Sequence, residues 1–388
     1  MHVAISGAGV AGASLAHWLY RTGHTPTLIE KAPSFRTGGY MIDFWGVGYQ
    51  VATRMGIEDA IRAAGYQIER VRSVGSRGQI KADIDVEAFR QVLGNDLTSL
   101  PRGDLAGAIY TTIEDKVETI FGDSIATIDE HTDGVRLTFD KAAPRDFDLV
   151  IGADGLHSNV RRLVFGPERD FEHYLGCKVA ACVVDGYRPR DELAYVMYST
   201  PGRQLDRFAL RGDRTMFLFI FRAKHDDPQM APKDQLRNEF GDVGWECRDI
   251  LSALDDVEDL YFDVVSQIRM DRWSRGRVLL VGDAAGCISL LGGEGTGLAI
   301  TEAYALAGEL DRAGTDHRRA FAAYEQRLRP FITAKQASAA RYISFFATRT
   351  RLGLWFRNLA MRSTNFGPLT KLVAGGVRDD FDLPDYGI

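Results

Sequence analysis

Cysteine is scarce: Cys177, Cys182, Cys247 and Cys287 are the four in 388 residues, and none stands in a Cys-x-x-Cys pair or a Cys/His cluster. That spacing argues against a zinc site or a redox dithiol and leaves four small hydrophobes for the interior, so no metal is expected. Positive charge is not in excess either. The formal net charge is −6 and basic residues are dispersed, so nucleic acid is not an expected partner. No apolar run reaches spanning length and no signal peptide precedes the first apolar strand, which predicts a cytoplasmic protein without stable membrane association. Internal repeats and low-complexity linkers are lacking, and so is a Ser/His/Asp hydrolase elbow. His225 sits in the charged stretch Ala223-Lys224-His225-Asp226-Asp227-Pro228 and reads as a solvated loop residue.

Glycine, by contrast, is plentiful, 40 residues of 388 against a usual share of about 7%. Three glycine-containing segments each follow a short apolar run: Gly7-Ala8-Gly9-Val10-Ala11-Gly12, Gly152-Ala153-Asp154-Gly155 and Gly282-Asp283-Ala284-Ala285. Each stands at the carboxyl end of a predicted strand, where open α/β sheets bind ligands. In the first, Gly7 permits a tight turn, Gly9 lets backbone approach a pyrophosphate, and Gly12 lets the following helix pack on the strand. The helix predicted from Val10 to about Arg21 aims its amino end, including Ala11, at the phosphates. A second strand, Pro26 to Ile29, delivers Glu30 and then Lys31 roughly 20 residues on, where an acid meets an adenosine ribose. A dinucleotide that needs three remote strand ends is better matched by FAD than by NAD.

Elsewhere, Arg102 follows Pro101 at a predicted helix start and could pair with a pyrophosphate as a charged fork. Asp283 follows the buried strand Val278 to Val281. Leu291-Gly292-Gly293-Glu294-Gly295-Thr296-Gly297 is a glycine-rich loop entering a helix predicted from Leu298 to about Leu310, whose positive end would stabilise charge on a reduced flavin.

Together these segments resemble the class A flavoprotein monooxygenases, the family of para-hydroxybenzoate hydroxylase, and look nearest to its tetracycline-inactivating monooxygenases. Gly152-Ala153-Asp154-Gly155-Leu156-His157-Ser158-Asn159-Val160-Arg161 fits the family's middle motif, Gly282-Asp283 its late motif, and Pro101-Arg102-Gly103-Asp104-Leu105 a helix-start motif. Gly38-Gly39-Tyr40-Met41-Ile42-Asp43 resembles a segment beside the isoalloxazine. The resemblance implies an α/β fold: a Rossmann-like FAD-binding domain, a mixed-sheet substrate domain and a C-terminal helical region. The segments expected are 1–69, 98–170 and 268–315 for the first, 70–97 and 171–267 for the second, and 316–388 for the third. It implies cofactor contacts at Gly7, Gly9, Val10, Ala11, Gly12, Glu30, Lys31, Gly39, Asp43, Arg102, Asp154, Gly155, Asp283, Gly292, Gly295, Thr296 and Gly297. The implied activity is hydroxylation of an aromatic or polyketide-like small molecule through a flavin C4a-hydroperoxide, with O2 and transient NADPH or NADH, by a monomer or homodimer. No catalytic side chain is implied, because the flavin performs the chemistry.

The candidate substrate sheet has strands predicted at Arg70 to Val74, Gly176 to Val184, Ala194 to Ser199, Arg207 to Leu210 and Thr215 to Phe221. Tyr40, Met41, Tyr195, Met197, Phe208 and Leu210 are its candidate pocket residues. Phe219 is a candidate too, although Phe217, Phe219 and Phe221 share one face and read first as packed core. Arg203, Arg207 and Arg211 read first as solvated charges and secondly as anchors for an acidic substrate. At the carboxyl end, a long helix from about Asp316 to Thr348 with a break or kink at Pro330, a second helix at Leu352 to Met361, and a loose acidic tail from Arg378 are expected.

The sequence departs from its relatives where Gly286 replaces a common His and where Ser289 and Leu290 occupy a proline region, which leaves flavin movement and nicotinamide access open. A halogenase is disfavoured because Trp18, Trp45, Trp245, Trp273 and Trp355 are isolated and form no Trp-x-Trp-x-Ile-Pro signature. A flavin-dependent dehydrogenase or reductase and a non-catalytic flavoprotein that binds an apolar ligand remain alternatives.

Overall fold

The computed structural model describes residues 1–35, 38–87, 90, 97–225, 230–363 and 381–388. Among them the first strand, His2–Ser6, lies at the centre of a six-stranded sheet. It pairs in parallel with Thr25–Glu30 on one side and with Leu149–Gly152 on the other. Leu149–Gly152 then pairs in parallel with Val278–Leu280, and Thr25–Glu30 with Glu118–Phe121. Near-continuous burial of Val3 to Ile5, Leu149 to Ile151 and Val278 to Leu280 is what a parallel sheet covered on both faces requires. This register brings Ser6 level with Gly152, and Gly152 level with Leu280, so the three glycine segments emerge side by side from one sheet edge.

A second sheet of seven strands runs in the order Tyr261–Ile268, Glu172–Asp185, Arg214–Arg222, Arg203–Leu210, Ala194–Thr200, Arg70–Val74 and Ile80–Asp85. Its pairs are antiparallel except Ala194–Thr200 with Arg70–Val74. Phe217, Phe219 and Phe221 alternate to the face away from the cavity and pack with Leu236, Phe240 and Ile250 of two covering helices, Pro232–Phe240 and Cys247–Ala253. Phe219 therefore belongs to the core, its ring 5.3 Å from that of Phe240, while its neighbour Leu218 takes the cavity side. The expected strands are present, Arg70–Val74 with its expected bounds and the other four longer, and Ile80–Asp85 and Tyr261–Ile268 add two that the pattern did not yield.

The helix Gly295–Ala313 packs against Val10–Arg21 and Gly46–Arg54. Gly48 and Gly297 form that last crossing: a methyl on Gly48 would stand 2.4 Å from the Gly297 Cα. The long helix His317–Phe346 continues past Pro330 without ending there, and Arg351–Ser363 follows it. The expected loose tail is corrected over residues 381–388; residues 378–380 of it lie outside the described residues. Tyr386 is buried, donates to Glu309 at 2.7 Å and fills the space left by Gly308, where a Cβ would meet its ring at 2.2 Å. Arg54 and Arg312 add hydrogen bonds to the Pro384 and Asp385 carbonyls at 3.1 and 2.7 Å, and Phe381 stacks on Phe331. All four cysteines are buried and unpaired, and burial raises the Cys177 thiol to about 11. Among the described residues no helix is long and apolar enough to cross a membrane.

Candidate cofactor and substrate site

The turn after the first strand is built by backbone that only glycine tolerates. Gly7 has φ +100°, and a Cβ there would lie 2.6 Å from the Ala153 carbonyl oxygen. A Cβ on Gly12 would lie 1.9 Å from the Gly7 carbonyl oxygen, so Gly12 seats the helix Val10–Arg21 on its turn. Gly9 differs: a Cβ there would meet nothing within 4 Å. The space over the helix amino end is free for a ligand to approach backbone N–H groups.

Glu30 ends the neighbouring strand. Its carboxylate accepts from the Ala8 N–H at 2.9 Å and the Ala32 N–H at 2.8 Å, which fixes it beside the glycine turn. Ala8, Gly9, Glu30, Phe35, Gly39 and Arg102 line part of a long groove of about 1540 Å³. The Arg102 N–H donates to the Tyr40 carbonyl at 2.9 Å, tying the helix Arg102–Thr111 to the segment Gly38–Tyr40.

An inner cavity of about 370 Å³ lies between the two sheets. Val10, Ala11, Gly155, Asp283, Gly295 and Thr296 face it from the parallel-sheet side, with Asp43, Tyr40 and Met41 beside them. Tyr195, Met197, Asp206 and Leu218 face it from the antiparallel sheet. Gly9, Tyr40, Arg102 and Tyr261 line both cavities, so groove and chamber meet at the amino end of the first helix.

Burial raises the Asp283 carboxyl above its ordinary range, and the Arg102 charge pulls it back. Burial likewise pushes the Tyr40 phenol up to about 12. Behind Asp283, Glu302 accepts from the Gly282 N–H at 2.7 Å and from the Tyr324 hydroxyl at 2.8 Å. Burial lifts the Glu302 carboxyl to about 7. Arg161, fully buried, donates to the Ala284 carbonyl at 3.0 Å and to Glu168 at 2.8 Å, joining the middle glycine segment to the late one. Neither Glu302 nor the joint made by Arg161 is visible in the sequence, because their partners lie 20 and 123 positions away.

Other expected site residues are used differently. Asp154 takes hydrogen bonds from Ser6 Oγ at 3.2 Å, from Ser158 Oγ and from the Val160 N–H at 3.0 Å, so its carboxylate organises the start of the helix Asn159–Val164. Gly297 meets Gly48 at the helix crossing, Gly292 packs on Ala339 and Ile288, and Lys31 is exposed. Phe208 and Leu210 are covered within a cluster that includes Tyr66, Ile68 and Met216. Arg207 is bound by Asp191 and Glu246, Arg203 by Glu239 and Asp242, and Arg211 by the carbonyls of Ala63, Ala64 and Gly65. His225 pairs with Glu172 at 3.0 Å, and residues 226–229 of its loop lie outside the described residues. Gly286 makes room for Ile332, since a Cβ would lie 2.9 Å from it, while Ser289 and Leu290 line the chamber.

The residues at the junction fit FAD. Gly9 leaves room for a pyrophosphate, Arg102 supplies a cation where groove and chamber meet, and half-buried Asp283 can accept from sugar-like hydroxyls.

Comparison with known proteins agrees with this geometry. The family model described as "FAD binding domain" matches residues 1–338. A flavin-dependent monooxygenase of Legionella longbeachae is 36% identical over 397 residues, covering 99% of this chain and 98% of the relative. The crystal structure of tetracycline destructase Tet(51) matches with a TM-score of 0.84 at 30% identity, covering 99% of each chain. The crystal structure of Klebsiella pneumoniae HpxO complexed with FAD and uric acid shares the fold, with a TM-score of 0.79 at 20% identity over 97% of this chain and 98% of that one. With glycine turns, groove and chamber on one sheet edge and relatives of this kind along its whole length, the chain belongs to the FAD binding domain family, among the flavin-dependent monooxygenases.

Proposed function

We propose that the chain uses NADPH or NADH and O2 to hydroxylate an aromatic or polyketide-like small molecule held against FAD in the inner chamber. The observation that carries this reading is the meeting of groove and chamber at Gly9 and Arg102. A two-part ligand with a pyrophosphate in its middle matches that shape. The Val10–Arg21 helix amino end and Arg102 would hold the pyrophosphate, and Glu30 would accept from the adenosine ribose. Asp283 would accept from the ribityl chain. Gly295 and Thr296, at the start of their helix, would present N–H groups and a positive dipole end to the flavin pyrimidine.

Bound FAD supplies the redox chemistry, passing electrons from the nicotinamide to O2 so that one oxygen atom reaches the substrate. The chain's own residues orient the substrate and exclude water. Tyr40, Met41, Tyr195 and Met197 offer apolar and aromatic walls on the substrate side. The relative with 30% identity is by name a tetracycline destructase, and that supports a fused-ring polyketide as the substrate class. The test is a visible spectrum of purified protein, followed by a screen of phenols and fused-ring polyketides for stimulated NAD(P)H oxidation under 18O2. Label in the product supports the reading. Colourless, folded protein that takes up no FAD refutes it; turnover without label favours a dehydrogenase or reductase.

A further inference from the structure

The chamber wall contains a carboxylate that packing does not explain. Asp206 lies in the middle of the antiparallel sheet, directly between Met197 and Leu218 on the neighbouring strands, and all three line the chamber. An apolar residue would pack there at no desolvation cost. Asp206 is 8% exposed. Its Oδ2 accepts from Gln204 Nε2 at 3.0 Å, while its Oδ1 has no hydrogen-bond partner. Burial raises this carboxyl to about 7, against the Gln204 hydrogen bond and the more distant Arg357 charge.

The surroundings hold Asp206 without satisfying it. Gln204 Oε1 accepts from Arg357 Nη1 at 2.9 Å and from Ser199 Oγ at 3.0 Å, which fixes the amide with its NH2 toward Asp206. Arg357 is buried, comes from the helix Arg351–Ser363, and also donates to the Phe345 carbonyl at 2.9 Å. Met361 of the same helix lines the chamber with Phe345 and Phe346. The C-terminal helix thus closes one side of the chamber and orders the residue that orients its carboxylate.

We propose that Asp206 is the substrate anchor, accepting a hydrogen bond from a phenolic hydroxyl on the ring to be oxygenated, with Gln204 and Arg357 as positioning residues. This rests on the reading of the chamber as the substrate side of a flavin site. It narrows the substrate class to aromatics with a free hydroxyl. A hydroxylated ring can donate to the under-bonded carboxylate, whereas its methyl ether cannot and adds bulk, an asymmetry that makes buried polar groups selective.

The test uses FAD-loaded protein and two matched probes, 1-naphthol and 1-methoxynaphthalene, with binding read from perturbation of the flavin spectrum. At roughly pH 8.5, where the carboxyl is ionised, wild type should bind the naphthol about tenfold or more tightly, the effect of a hydrogen bond to a charged group. Asp206→Leu should bind the two probes alike and retain FAD. Asp206→Asn, which keeps one acceptor, should fall between. Wild type that binds the probes alike or binds neither overturns the anchor. So does Asp206→Leu that keeps the preference. Wild type without flavin absorbance defeats the flavoprotein reading and the anchor with it, and the visible spectrum separates that failure from failure of the anchor alone.

Discussion

Two glycines three positions apart in one turn should respond oppositely to the same added methyl. At Gly12 the new Cβ would stand 1.9 Å from the Gly7 carbonyl oxygen and 3.0 Å from its carbon, both backbone atoms that cannot rotate away. Helix Val10–Arg21 would have to lift off its sheet, and Gly12→Ala should destabilise the FAD-free protein by about 3 kcal/mol or more. At Gly9 the Cβ would meet nothing within 4 Å, and the backbone, at φ −71° and ψ −172°, already suits alanine. Roughly 0.5–1 kcal/mol lost at the helix cap offsets roughly 0.4–1 kcal/mol gained from a stiffer unfolded chain. Gly9→Ala should therefore leave FAD-free stability nearly unchanged. Its methyl, however, occupies the space assigned to the pyrophosphate, and FAD affinity should fall about tenfold or more, or at least 1.4 kcal/mol. Urea unfolding of both FAD-free variants and FAD titration by fluorescence quenching read the two effects separately. If Gly9→Ala bound FAD as wild type does, the placement of the pyrophosphate over the first helix would be refuted. If Gly12→Ala unfolded at the wild-type midpoint, the close packing of turn and helix would be refuted instead.

Glu302 makes the native state pH-sensitive: its carboxyl is raised from 4.5 to about 7, so its favourable contribution is full below about pH 4 and is lost as pH rises through 7. Glu302→Gln keeps acceptors for Gly282 and Tyr324 but does not ionise, and it should flatten the fall in stability between pH 5 and 8 by up to about 3 kcal/mol, measured by urea midpoints across that range; an unchanged slope counts against the assignment. Arg161→Met removes the donor to the Ala284 carbonyl and the bond to Glu168, and should cost roughly 3 kcal/mol and lower FAD affinity by loosening the late glycine segment; thermal melts with and without FAD check both. Tyr386→Ala should cost roughly 3 kcal/mol through the cavity left over Gly308 while leaving FAD affinity intact; wild-type melting would show that the terminal residues contribute no packing.

The parts of this molecule that were legible in the sequence are those where backbone geometry dictates residue type. Gly7 and Gly12 are required by a positive φ and by a carbonyl in the way, and such demands leave the same spacing wherever the turn occurs. Alternation along Thr215 to Phe221 showed that three phenylalanines share a face, but a period of two does not say which face meets the chamber. The covering helices settle that, and the first of them starts only at Pro232, beyond the end of the strand at Arg222. The acidic tail read as loose because its composition is polar, and one tyrosine fitted over Gly308 outweighs composition. Arg203, Arg207 and Arg211 were candidates because charge is visible in a sequence, whereas the carboxylates and carbonyls that bind them come from elsewhere in the chain.

The chamber's polarity then follows from one arrangement. Asp206 and Asp283 line it, Glu302 stands behind Asp283, and burial raises each of these carboxyls above its ordinary range, while Asp43 lines it from an exposed position. Such a wall repels anions and accepts hydrogen bonds, so it suits ligands rich in hydroxyl groups, such as a ribityl chain on one side and a phenol on the other. Arg102 stands apart as the cation shared with the groove, where a pyrophosphate would run. In the proposed reading, the cost of burying those acids is borne by the ligand-free protein and would be relieved by hydroxyl donors on a ligand, so the residues that destabilise the empty chamber would also give it chemical selectivity.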